Sequence, residues 1–153
     1  MDITITIQGY DELREKLENP ELLGVPFRNF LDKTTLALQR NVRQLTPVDT
    51  GRLRGSIMAS VDYATIPLWG EVGTGVEYAQ VVEEGGRPHW TSWTNLNEWA
   101  YRHNANVWAV TAGIAKHGTR AHHMFELSAA YIKSRLPEYV AQLAKDIEGE
   151  FGK

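Results

Sequence analysis

The chain predicts an α+β fold: an antiparallel β-sheet packed against a long helix in its N-terminal half and a C-terminal helix, with a Trp-rich helical insertion. Three observations carry this expectation. Apolar residues recur at helical spacing over residues 27–45 and again over 125–147. Between residues 56 and 75, short runs of β-branched and small residues are separated by turn formers. Near the N-terminus, Ile3, Ile5 and Ile7 alternate with Thr4, Thr6 and Gln8, the period of a half-buried strand. There is no internal repeat, low-complexity run or linker, and 153 residues can bury a core, so one domain over 1–153 is expected.

Gly9 ends the first strand. A short helix follows with Leu13 and Leu17 on one face, closed by Asn19-Pro20. Phe27, Leu31, Thr34, Leu38, Val42 and Leu45 then form the stripe of a long amphipathic helix. It must stop near Leu45, because Thr46 precedes Pro47 and is pushed out of the helical region.

The stretch Thr46-Pro-Val-Asp-Thr-Gly-Arg-Leu-Arg-Gly-Ser-Ile57 reads as a helix-to-strand corner. Pro47 stops the helix, Asp49 or Thr50 can accept a hydrogen bond from the next turn, and Gly51 lets the chain reverse. Segments 56–63, 64–69 and 71–75 read as strands of an antiparallel meander, with Pro67 at an edge or bulge. Tyr78, Val81 and Val82 mark a helical turn stopped by Gly85-Gly86.

Two short helices are expected between Asn95 and Gly118, the first carrying Leu96, Trp99 and Ala100, the second Val107, Trp108, Ile114 and Ala115. Four of the five tryptophans (Trp90, Trp93, Trp99, Trp108) lie between residues 90 and 108, either capping a small core or forming a contact patch. The last helix carries Phe125, Ala129, Ile132, Leu136, Val140, Leu143 and Ile147, with a kink or break expected at Leu136 because Pro137 follows.

Composition narrows function. The net charge of −3 speaks against a polyanion binder acting with its whole surface. With no cysteine there is no disulfide framework, thiolate metal site or cysteine nucleophile. The N-terminus lacks the basic and apolar regions of a signal peptide, and no apolar run has the length of a membrane span, so a soluble, cytoplasmically made protein is expected. Gly73-Thr74-Gly75 lacks the third glycine of a dinucleotide loop and the Lys-Ser/Thr of a P-loop. No serine sits in G-x-S-x-G, and no H-E-x-x-H occurs. Glu83 and Glu84 are neighbours that face different ways. No catalytic residue, cofactor or metal is expected; an unrecognised site using His117, His122 or His123 is the enzymatic alternative.

Arg28 to Arg54 holds six basic residues against two acids, while the first 25 residues hold six acids against two bases. Such asymmetry can serve phosphate contacts through the basic 40–54 region, which is the nucleic-acid alternative, or steer one subunit onto another. No aromatic interleaves the arginines, and no nucleic-acid motif appears, which favours the protein contact.

Three segments carry a resemblance to a known family: Thr46–Ile57, Tyr78-Ala-Gln-Val-Val-Glu-Glu-Gly85, and Phe125 opening the last helix after Gly118-Thr119. In this order the chain resembles the tail-completion or minor tail (neck) proteins of long-tailed bacteriophages and prophages. The resemblance covers residues from about 27 to 150 and is weakest over 89–110. It implies a structural virion protein that completes or terminates the tail and helps join it to the head. It further implies a six-fold ring of copies contacting tail-tube and neck proteins; the lack of a long apolar run and of a nucleic-acid motif adds the expectation of no membrane and no direct nucleic-acid binding. The expected location is the virion tail or neck, and the host cytoplasm during assembly. Pro47, Asp49 and Gly51 are expected to build the corner. Arg52 and Arg54, which share a face if the chain is extended, are expected at an interface with Tyr78 and Glu83.

Overall fold

The computed structural model describes residues 20–64 and 69–151. The strand expected at Ile3–Ile7, the helix around Leu13 and Leu17, and residues 65–68 with Pro67 lie outside them.

Helix α1 spans Pro20–Leu45. Pro20 opens it, a position where a missing N–H costs nothing because the first-turn donors are unpaired anyway. A second proline, Pro26, lies within the helix. The end at Leu45 is the one the Thr46-Pro47 step dictates. Thr46 is buried, and its backbone N–H and hydroxyl both donate to the Val42 carbonyl, at 2.9 and 2.6 Å.

Helix α2, Arg52–Ser56, is one short turn. It leads into strand β1, Met58–Asp62, which pairs antiparallel with β2, Trp69–Gly73, from Met58 opposite Gly73 to Asp62 opposite Trp69. The sheet of the described residues is thus a hairpin, smaller than the meander expected. Helix α3, Ala79–Glu84, follows. The insertion comprises α4, Trp93–Arg102, and α5, Val107–His117. Each starts on a side-chain cap: Ser92 accepts from the Thr94 N–H, and Asn106 from those of Trp108 and Ala109. Helix α6, Met124–Phe151, runs through Pro137 without a break. Its packing along α1 holds it where local sequence alone predicts interruption.

Helix α1 touches both strands as well as α6, so it forms the middle of the structure. The core gathers where its last turns meet the corner: Val42, Leu53, Ile57, Ala79 and Met124, ringed by half-buried side chains such as Leu38, Val72 and Phe125. The Ile57 carbonyl accepts from Gln39 Nε2 at 3.0 Å and from Arg43 Nε and a terminal nitrogen at 3.1 and 2.6 Å. These bonds lock the start of β1 to α1.

The insertion closes on itself. Gly86 and Thr119 form an isolated antiparallel bridge, with N–H···O distances of 3.2 and 2.9 Å. Gly118, at φ 75°, ends α5 there, and a Cβ on it would lie 1.9 Å from the Gly86 carbonyl oxygen.

Candidate interaction site at the 46–57 corner

The corner turns at Gly51, whose φ of 82° lies in the left-handed region that side chains disfavour. The following residues are helical, not extended. Leu53 and Ile57 are four apart and both buried, and a helical turn is what brings two such residues to one side. Arg52 and Arg54 are therefore about 200° apart around the helix axis, at ~100° per residue. The extended reading that put them on one face is corrected: Arg52 lines a groove described below, and Arg54 does not.

Asp49 does something the sequence did not indicate. It is not a cap; Gly51 holds the N-cap position of α2 with no side-chain bond. Its carboxylate instead takes a two-point contact from Arg102, at 2.8 Å from Nε and 2.6 Å from a terminal nitrogen, and lies 3.2 Å from His103 Nε2. His103 stacks on Trp99, centroids 4.6 Å apart. The Arg102 hydrogen bonds hold the Asp49 carboxyl below its ordinary value, against a smaller opposing effect of burial. The corner is thereby tied to α4 across 53 positions of sequence.

Between them lies a groove of about 750 Å³. Val48, Leu53 and Val81 line it on the corner side, Leu96, Val110 and Ile114 on the insertion side. Tyr78 lines it too and is exposed. Arg52, Arg120 and His122 supply the polar lining beside the Asp49 clamp. Neither Arg52 nor Arg120 makes an ion pair with a described residue.

Glu83 faces elsewhere. Its carboxylate accepts from the backbone N–H of Phe125 at 3.0 and 3.1 Å and from that of Glu126 at 2.9 Å, capping α6 from α3. His123 Nδ1 lies 2.8 Å from Glu126. Among the described residues no group of three or more His, Asp or Glu is placed to hold a metal ion, and no helix is long and apolar enough to cross a membrane.

The Trp-rich segment is two-sided. Leu96, Trp99, Val110 and Ile114 face the groove. Trp90 is 80%, Tyr101 88% and Trp108 64% exposed, and Trp93 packs beside Trp108 with ring centroids 5.8 Å apart. Arg102, His103 and Arg120 were not singled out from the sequence. No local pattern marks them, since each acquires its place through the fold.

Fold and site together define a helix-rich α+β structure organised around the 46–57 corner. Residues 11–85, just under half of the chain, match the HK97-gp10-like family, described as "Bacteriophage HK97-gp10, putative tail-component". The recognition of a phage tail protein family from the sequence is borne out over that stretch, which holds the first two of the three motif segments. No curated protein and no solved structure matches the chain.

Proposed function

We propose that this protein is a structural component of the phage virion that completes or terminates the tail and helps join it to the head, acting through self-association and contacts with tail-tube and neck proteins. The observation that carries this reading is the tail-component family match spanning the corner and α3. An apolar groove beside that corner, with two guanidinium groups that make no ion pair among the described residues, supports a contact role over a chemical one. Arg43 is already bound to the Ile57 carbonyl, which leaves the basic 40–54 stretch fewer cations for phosphate.

Electron microscopy of a lysate after deleting the gene from its parent phage tests the proposal. Filled heads beside unjoined or overlong tails are expected. Normal infectious particles would remove the structural reading.

A further inference from the structure

Resting on that structural reading, we infer that copies of this chain associate head to tail, the outer aromatic face of one insertion seating in the corner groove of the next copy. Groove and knob lie on opposite sides of one element. In α4, Leu96 and Trp99 line the groove while Tyr101 lies about 140° round the helix from Leu96, at ~100° per residue. In α5, Val110 and Ile114 line it while Trp108 lies about 160° from Val110. A molecule with a projecting patch and a matching hollow at different places makes a heterologous contact, which builds a ring if the rotation closes and an open chain if it does not. An isologous pair would need one patch facing itself.

The chemistry of the two surfaces is complementary. The knob carries Tyr101, Trp108 and the Glu98 carboxylate, whose side chain is 91% exposed and only loosely held, 3.7 Å from Arg102. The hollow offers apolar walls with Arg52 and Arg120. Either guanidinium can pair with Glu98 of the incoming copy or lie over its Trp108 ring. Tyrosine and tryptophan are the side chains that most often anchor such contacts.

The chain has no cysteine, so single cysteines report contacts cleanly. Asn97→Cys sits one turn from Tyr101 on the outer face, and Thr50→Cys sits at the groove. Mixed and oxidised, the two full-length variants should give a disulfide-linked dimer that neither gives alone, and the double variant a ladder of multimers. Tyr101→Ala, at a side chain 88% exposed, should weaken the product without lowering the melting temperature, and combining it with Trp108→Ala should abolish it. Arg120→Glu should weaken it, and Glu98→Arg should recover it.

Products joined only 97 to 97 or 50 to 50 would overturn the inference. So would a protein that stays monomeric at its highest soluble concentration and yields no product. A monomeric result would also remove self-association from the proposed function, while the tail role itself stands or falls on the gene-deletion particles.

Discussion

Glu83→Ala separates a structural role from an interface role at a residue where sequence alone permits both. The carboxylate accepts from two backbone N–H groups in the first turn of α6. Losing a helix cap costs roughly 0.5–2 kcal/mol, and the favourable term between a carboxylate and a helix N-terminus adds about 0.3–1 kcal/mol. Met124, fully buried at the start of α6, would loosen with that turn. A loss of about 2 kcal/mol follows. Unfolding entropy near 2.1 cal/mol/K per residue gives ~0.3 kcal/mol/K for the chain, so Tm should fall by about 6 °C. Glu83→Gln keeps a neutral acceptor and should lose about half as much. Thermal melts followed by circular dichroism read both. If Glu83→Ala melts within about 1 °C of the parent, the cap contributes nothing and the reasoning fails. If it also loses self-association, the interface role is the correct one.

Gly118→Ala should cost at least ~2 kcal/mol or prevent folding, because the new Cβ meets the Gly86 carbonyl and φ is positive; urea denaturation measures it. Met124→Ala should lose about 3 kcal/mol by opening a cavity in the core, read the same way. Arg43→Ala should cost about 1 kcal/mol by removing donors to the Ile57 carbonyl. Asp49→Asn should be less stable than the parent near neutral pH. The folded-state pKa of Asp49 lies below its ordinary 3.8, so its contribution is present above that value and lost as pH falls through the folded one. The gap between the two urea midpoints should close on acidification, and a gap independent of pH would remove the clamp from the account.

What the sequence made legible was decided locally. The end of α1 follows from the Thr46-Pro47 step, and the ends of α3 and α5 from glycines at their C-termini. The turn at Arg52–Ser56 was not legible. Gly55 and the β-branched run beyond it favour an extended chain, and only the joint burial of Leu53 and Ile57 selects a helix. Nor could the partner of Asp49 be read, since Arg102 is far away in sequence. The tryptophan count announced a special segment without separating its buried face from its exposed one. Spacing along α4 and α5 carries that division once their inner faces are known. Of the kink or break expected before Pro137, the break is overruled by a long packed interface with α1.

The bridge between Gly86 and Thr119 makes residues 87–118 a cassette whose two ends meet at one joint. The entropy of closing such a loop grows slowly, ~0.6 kcal/mol per doubling of length, so changes of length within the cassette cost the frame little as long as Arg102 keeps its contact with Asp49. The family match stops at residue 85, immediately before that joint. A fixed frame with a replaceable cassette lets the surface offered to neighbours change while the core around Val42, Ile57 and Met124 keeps its residues. Grafting a different helical pair between Gly86 and Thr119, with an arginine kept against Asp49, would then redirect assembly without redesigning the fold.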